Sequence, residues 1–438
     1  MSDDALIEFV TAQRWFGSKT RQVSKMTVVE RATLVEAEEC LEVVLVEVGF
    51  DTGTHDTYQL LMCGDDLDAI QEPAHARELV HLMRSGSTQP ASEGTVEFRP
   101  VPGFAHLGTE LLNARPVGAE QSNTSIVFDE ELILKVFRRL EAGINPELEM
   151  LRFLTEHGYE NIAALGGWYA YTGKPIDATL GIFQQFVAGG RDGWELALEE
   201  IGEEPERFLL RLHRLGEVTG EMHRVLGSDM SDPNFCPETP SGESLGLLTA
   251  TIDEEIERIF LDLPDDERVA PIAGRGEEVR EQLRLLASAG PIGRIIRHHG
   301  DFHLGQTLWN GDDWVILDFE GEPARPLSER RRKRSPLRDV AGMLRSFAYA
   351  VSAASTHRGI EAPAGWEERA REQFLDGYTA TVDPVLLPSS PDATRRLLSV
   401  FELEKAVYEL RYELDNRPDW VPIPVAGIQR LIEEPAPA

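Results

Sequence analysis

Apolar and polar residues alternate through residues 23–64 in three runs, "MTVVERATLV", "CLEVVLVEVGF" and "DTYQLLMCG", separated by acidic or Gly/Asp/Thr turns. A period of two with many β-branched residues predicts an antiparallel sheet. The spacing turns helical in "AHARELVHLMRSG", which ends on a glycine, and the following "STQPASEG" has linker composition, which puts a boundary near residue 90. Further strands are expected in "GTVEFRPVP", "ELLNARPVG" and "SNTSIVFDEELILKVFRRL". A helix follows in "NPELEMLRFLTEHG", with Asn145 as its cap and Pro146 in its first turn. Two more strands, "GGWYAYTG" and "ATLGIFQQFVAGG", precede a region beyond residue 191 whose periodicity is mostly helical. A β-rich front and an α-rich back predict an α+β, two-lobed fold: an N-terminal segment 1–90, a β-rich lobe 91–190 and a helical lobe 191–438.

The length, 438 residues, fits two or three lobes and an enzyme-sized core. Charge narrows the partners: 43 Lys and Arg against 76 Asp and Glu leave a formal net charge of −33, which repels nucleic-acid phosphates and anionic lipid. Three cysteines, at 40, 63 and 236, form no CxxC pair, so neither a disulfide framework nor a thiolate zinc site is expected. The acidic N-terminus lacks the apolar core of a signal peptide, and no apolar run reaches the about 18 residues that span a bilayer. The expectation is a cytoplasmic protein with no nucleic acid and no membrane among its partners.

The densest chemistry lies in "HHGDFHLGQTLWNGDDWVILDFEGEP", from His298 onward. Its histidines 298, 299 and 303 suggest a metal hydrolase, but Gly300 spoils helical i, i+4 spacing and no second ligand cluster supports them. Phosphoryl transfer explains the aspartates better. It needs a carboxylate to orient the acceptor hydroxyl and take its proton, with oxygen ligands that hold Mg²⁺ against the phosphates of ATP. Asp301 in its tight turn is the expected base, and Gln306 with Asp318, at the end of the strand "WVILDFE", are the expected metal ligands. Glu320 either approaches the metal or caps the loop.

Such chemistry requires a phosphate-contacting lysine on a strand and a carboxylate on the next helix. Lys135 lies within the apolar run "ELILKVFRR", and the next helix offers Glu147 and Glu149, of which Glu149 is preferred. Upstream, Ser122, Asn123, Thr124 and Ser125 occupy the turn where small residues present N–H groups and hydroxyls to phosphate. Gln185 and Val187, at the end of a strand, stand where backbone groups would meet adenine. "GSKT" at 17–20 mimics a Walker A ending, but Ala12 replaces the required glycine.

Taken together, "HGDFHLGQ" and "ILDFEGEP…SPLRDVAG" resemble the aminoglycoside-phosphotransferase-like kinases, and within them the chain is similar to the bacterial maltokinases. The resemblance runs nearly end to end, through "QRWFGSKTR", "GAEQSNTS", "LILKVFRRLEAGINPELE", "HGDFHLGQTLW", "DFEGEPARPLSERRRKRSPLRDVAGMLRSF" and "EKAVYELRYELDNRPDWVPIP". It implies a protein-kinase-like body with an N-terminal cap, and transfer of the γ-phosphate of ATP, with Mg²⁺, to the anomeric hydroxyl of maltose for α-glucan synthesis. It also implies glucosamine kinases as near relatives and hence glucosamine as the alternative acceptor, with a partner enzyme of α-glucan metabolism reached through the cap. Antibiotic phosphorylation and a non-catalytic pseudokinase are the remaining readings.

A sugar acceptor calls for an aromatic platform and carboxylates, and "FELEKAVYELRYELDNRPDW" has both. Leu403, Ala406, Val407, Leu410 and Leu414 share one helical face that should pack inward, while Glu402, Glu409 and Glu413 share another stripe. Tyr408, Glu409, Glu413 and Trp420 are the expected sugar contacts, against the alternative of a solvated acidic face. The basic run 330–334 is expected to pair with carboxylates or to order its loop, His213 and His223 to serve packing or hydrogen bonding, and the indole of Trp15 to act as a staple between cap and body.

Overall fold

The change from a strand period to a helix period near residue 190 is where the chain divides. In a computed structural model describing residues 3–36, 40–102, 104, 113–118, 122–287, 292–323 and 325–433, one unit comprises Met1–Glu156 with Ile162–Gly189, and the other His157–Asn161 with Gly190–Ala438. The fold is mixed α and β, with the strands gathered towards the N-terminus.

The N-terminal unit runs α1 (Asp3–Ala12), β1 (Val23–Val35), β2 (Leu41–Phe50), β3 (His55–Met62), α2 (Pro73–Ser85), β4 (Thr88–Pro90), β5 (Gly94–Pro100), β6 (Ala114–Val117), β7 (Asn123–Phe128), β8 (Leu132–Phe137), β9 (Arg139–Leu140), α3 (Pro146–Glu156), β10 (Leu165–Gly173) and β11 (Ala178–Gln185). Two sheets form, in the orders β1-β2-β3-β9 and β4-β5-β10-β11-β8-β7-β6. The pairings are antiparallel, as the alternating runs predict. Gly86 ends α2 at φ +60, a left-handed cap that glycine adopts without penalty. Asn145 caps α3, its Oδ1 accepting the Glu147 N–H at 2.8 Å.

One residue, Arg138, separates β8 of the larger sheet from β9 of the smaller. Its side chain is fully buried; Nε donates to Thr124 Oγ1 at 2.7 Å, Nη2 to Asp68, and the guanidinium lies 5.2 Å from the Trp15 ring. Trp15, buried against Tyr58, is thus an internal staple, as the "QRWFGSKTR" segment suggests. Gln59 on β3 completes the join. Its Nε2 donates to the carbonyls of Phe137 and Leu180 at 2.9 and 2.8 Å, and its Oε1 accepts from the Tyr169 hydroxyl at 3.1 Å.

The C-terminal unit runs β12 (Arg191–Asp192), α4 (Gly193–Glu203), α5 (Pro205–Leu226), α6 (Gly242–Leu261), α7 (Gly276–Ala287), β13 (Thr307–Trp309), β14 (Trp314–Ile316), α8 (Leu327–Arg330), α9 (Leu337–Arg358), α10 (Trp366–Thr381), α11 (Pro391–Asn416) and α12 (Pro422–Glu433). β12, β13 and β14 make a small antiparallel sheet. The apolar stripe of α11 packs as its spacing predicts: Leu403, Ala406, Val407 and Leu410 are buried with Ile252 and Ile256 of α6, Val279 and Leu283 of α7, and Val425 and Ile428 of α12, while Leu414 is partly buried beside them. Among the described residues no helix is long and apolar enough to cross a membrane.

Gln59 gives a direct test of the join between the two sheets. Gln59→Leu keeps the volume but strands two buried carbonyls and a hydroxyl, and each buried polar group left without a partner is costly. The expected loss is about 3 kcal/mol of stability in the N-terminal unit, read as a lower urea midpoint of its tryptophan fluorescence.

Candidate active site

In the C-terminal unit the geometry begins with helix α9. Asp339, Gly342 and Ser346 lie at i, i+3 and i+7, one face of the helix, and that face carries the segment His299–Leu304. The Asp339 carboxylate accepts the backbone N–H groups of His299 and Gly300 at 2.8 and 2.9 Å and His223 Nε2 at 3.1 Å. A Cβ at Gly342 would lie 2.6 Å from the Phe302 carbonyl, so only glycine permits this approach. Ser346 Oγ receives the Leu304 N–H at 3.3 Å. Gly300 sits at φ +87, a left-handed conformation that side chains rarely adopt. The result is a tight turn that presents Asp301.

The three histidines of this stretch build the turn rather than a metal site. Asp301 N–H reaches His299 Nδ1 at 3.3 Å, so Nε2 carries the proton and donates to the Leu317 carbonyl at 2.8 Å. Gly305 N–H donates to His303 Nδ1 at 3.1 Å. Burial pushes the His298 imidazole down to about 3, so it is neutral near pH 7. His223, fully buried, hydrogen-bonds Asp339 and Tyr378, and His213 lies 3.6 Å from Glu217, as expected of helix residues. Burial opposes charge on Asp339, but its neighbours His298, His223 and His299 hold its pKa well below the ordinary range.

The same segment is stitched to the hairpin that follows. Thr307 pairs with Ile316, and Leu317 N–H donates to the Gln306 carbonyl at 2.9 Å, which sets Gln306 beside the residue preceding Asp318. Asp318 has φ +58, a conformation uncommon outside glycine and the kind of local strain that gathers at functional sites. A carboxylate oxygen of Glu320 lies within 4.8 Å of one on Asp318. These are hard oxygen donors of the kind Mg²⁺ takes.

Asp301 opens into a cleft of about 740 Å³ that Tyr408, Glu409, Glu413 and Trp420 also line. Its aromatic wall is built from Tyr349 stacked on Trp420 at 5.8 Å, with Trp194 at 6.4 Å from the same indole. The acidic stripe of α11 is not a solvated face. Glu409, 9% exposed, accepts Arg345 at 2.7 and 3.0 Å; Glu413, 1% exposed, accepts Arg417 at 2.6 and 2.8 Å and the Tyr349 hydroxyl at 3.2 Å. Glu402 accepts Arg371 at 2.6 Å. Burial pushes the pKa of Glu413 up, against the pull of Arg417.

Sequence reasoning missed Lys405. Its ammonium stands 3.4 Å from both Asp301 and Glu322. Burial alone would discharge it, but Asp301, Glu322 and Glu409 outweigh that and hold its pKa above the usual lysine range. The available signal was an ammonium beside the apolar stripe of α11, one position before Ala406. Arg345 and Tyr349, which reach Glu409 and Glu413 across 64 residues of sequence, had no local signal.

In the N-terminal unit, Lys135 is buried on β8 with Nζ 2.7 Å from Glu147 Oε2. The ion pair seen at this lysine is thus with Glu147, the other carboxylate the first turn offers. Glu149 is buried on the same first turn. Of the expected phosphate loop, Ser122 is exposed, whereas Asn123, Thr124 and Ser125 are buried residues of β7. Their backbone runs in the sheet, with Ser125 directly opposite Lys135, and Thr124 Oγ1 already serves Arg138, so they are not a free loop. Residues 119–121 of "GAEQSNTS" lie outside the described residues. Gln185 commits its N–H to the Ala164 carbonyl at 2.9 Å, while Val187 follows the strand half-buried.

His298 yields a pH test. Its folded pKa lies below the unfolded value of about 6.5, so the unfolded state binds more protons and stability falls as pH drops from about 6.5 towards 3. The His298→Gln protein is expected to lose up to about 1.4 kcal/mol less per pH unit than the wild type across this window, checked by urea unfolding between pH 4.5 and 7.

Residues 113–375 match the model of the phosphotransferase enzyme family, and residues 9–86 match the maltokinase N-terminal cap domain. Two curated proteins are similar over most of their length. The glucosamine kinase of Streptacidiphilus jiangxiensis is 26% identical over 405 residues, covering 85% of this chain and 89% of its own. The glucosamine kinase of Mycolicibacterium smegmatis is 23% identical over 333 residues, covering 73% and 80%. Among solved structures, glucosamine kinase in crystal form B aligns at a TM-score of 0.75 with 20% identity over 98% of this chain and 99% of that one. The complex of glucosamine kinase with glucosamine, ADP and inorganic phosphate aligns at 0.73 with 19% identity over 97% and 98%. At that identity these alignments speak for the fold. The family match, spanning well over half of the residues and including both Lys135 and Asp301, is decisive: the chain belongs to the phosphotransferase enzyme family.

Proposed function

We propose that this protein is an ATP-dependent sugar kinase whose acceptor is a neutral disaccharide of the maltose type, phosphorylated at its anomeric hydroxyl. The observation that carries this reading is the cleft in which Asp301 shares a wall with stacked aromatic rings and with carboxylates already neutralised by arginines. Aromatic faces suit the apolar faces of pyranose rings. A carboxylate bound to a guanidinium keeps spare lone pairs for sugar hydroxyls without presenting net negative charge.

In this proposal Asp301 orients the acceptor hydroxyl and takes its proton, and Lys405 keeps that carboxylate in place. Gln306 and Asp318 would hold Mg²⁺, which when bound neutralises charge on the β- and γ-phosphates of ATP. Lys135, oriented by Glu147, contacts phosphate oxygens, and backbone groups of Gln185 and Val187 meet the adenine. Ser122 and the N–H groups leading into β7 remain the proposed phosphate-facing strand entrance. Catalysis is then mainly positioning and charge neutralisation.

Glucosamine is the second reading, favoured by the names of the curated relatives and by the sugar in a related complex. Against it stand the ion pairs of Glu409 and Glu413, which take up the carboxylates an ammonium would seek. An acceptor panel with Mg-ATP, scoring ADP release with maltose, glucosamine and kanamycin, decides between them. Turnover with maltose at a kcat/KM at least about tenfold above glucosamine is expected; the reverse order establishes the amino sugar, and silence with every acceptor means a non-catalytic protein. Asp301→Asn should lower kcat by about a thousandfold with ADP affinity unchanged, measured by coupled assay and calorimetry. Trp420→Ala should raise the acceptor KM about tenfold while the KM for ATP stays constant.

A further inference from the structure

Behind the turn of Asp301 lies a second chamber, of about 70 Å³, whose wall includes His298, Arg325, Arg334 and Arg338. Its carboxylates are all engaged, Asp301 with Lys405 at 3.4 Å. Glu404 pairs with Arg338 at 2.6 Å, Glu322 with Arg325 and Lys405, Glu255 with Arg411 at 3.1 Å, and Glu329 lies 3.6 Å from Arg325; Asp339 is taken by the turn. Arg330 donates to the carbonyls of Arg325 and Glu320 at 3.1 and 3.2 Å. Lys333 likewise orders a loop, binding the carbonyls of Pro233 and Cys236 at 2.7 Å.

Among the described residues, two nitrogen-bearing groups of the wall are left over. The guanidinium of Arg334 has no hydrogen-bond or ion-pair partner among the described residues, its backbone alone being bonded to Ile296. His298 is only 8% exposed and its Nδ1 is buried without a partner. Buried polar groups normally find partners, and a half-buried cation such as Arg334 that has none in the protein is open to an anion. Burial and the facing guanidiniums of Arg338 and Arg325 bring Arg334 down to about 10, the mark of cations not cancelled locally. Arginine's fork of donors matches the oxygens of a phosphate group, and a neutral imidazole has one N–H to give.

We propose that this chamber binds one tetrahedral oxyanion, a phosphate group, held chiefly by Arg334 with an N–H from His298 and flanked by Arg325 and Arg338. The volume suits a small anion; free inorganic phosphate is the occupant proposed, and a phosphorylated sugar is the alternative source that the test separates from it. Because the chamber backs onto Gly300 and Asp301, its occupant braces the turn that carries the proposed base.

Calorimetric titration of the full chain with sodium phosphate, against sodium chloride at matched ionic strength, tests this. One-to-one binding is expected, weakened about tenfold or more by Arg334→Gln and less by Arg334→Lys. Lys135→Met, in the other unit, should leave it unchanged, and glucose 1-phosphate should not compete. Binding no stronger than that of chloride would make the chamber a water-filled cavity and overturn the proposal. So would equal affinity in Arg334→Gln, loss in Lys135→Met, or competition by glucose 1-phosphate. The thermal midpoint of Arg334→Gln without phosphate, compared with Arg334→Lys, separates lost binding from lost folding.

Discussion

A single buried carboxylate holds the chemistry of the C-terminal unit in place. Asp339 takes two successive backbone N–H groups, from His299 and Gly300, and a third donor from His223. Without an acceptor there, two buried amides would lack partners, and the left-handed Gly300 would have nothing to fix its direction. The carboxylate sits at the start of a helix whose next turn bears Gly342, the residue that lets the helix approach the turn backbone. One helix face therefore sets both the anchor and the distance. The position of Asp301 follows from the position of α9.

The same helix carries charge management outward to the acceptor side. Arg345 and Tyr349 leave α9 to meet Glu409 and Glu413 on α11. Buried pairs of this kind repay their desolvation only in part, so their use is geometric: they forbid either helix from sliding without stranding a charge. For a chain of net charge −33, this is how acidic side chains come to line a cleft without filling it with negative potential. Lys405 performs the same service for Asp301 and Glu322.

What the sequence made legible was whatever has a period or a cap. The alternating runs at 23–64 became β1, β2 and β3; Asn145 became a cap; the i, i+3, i+4, i+7 stripe of α11 became the buried face. The turn "HGDFH" was legible through its spacing, with Gln306 five residues after Asp301 and a strand then delivering Asp318. That Glu147 meets Lys135 was not legible, since Glu147 and Glu149 are both buried in the first turn of α3 and the sequence does not give the phase of that helix against β8. Thr124 and Ser125 looked like loop residues because small hydroxyl side chains look alike in turns and strands; a buried guanidinium 14 residues away claims one of them. The arginines that neutralise α11 were out of reach for the same reason: their partners are distant in sequence and adjacent only after folding.

This division of signal bears on the acceptor. The family match ends at residue 375, so the phosphotransfer machinery is described by it and α11 is not. In the proposed reading, acceptor choice depends on whether the α11 carboxylates face the cleft bare or already paired. Bare, they would select a cation; paired with Arg345 and Arg417, they offer acceptor lone pairs to hydroxyl groups, and the stacked Tyr349 and Trp420 supply the apolar platform. The physical weight of the proposed maltose-type reading thus falls on Arg345 and Arg417, which pair the carboxylates of α11.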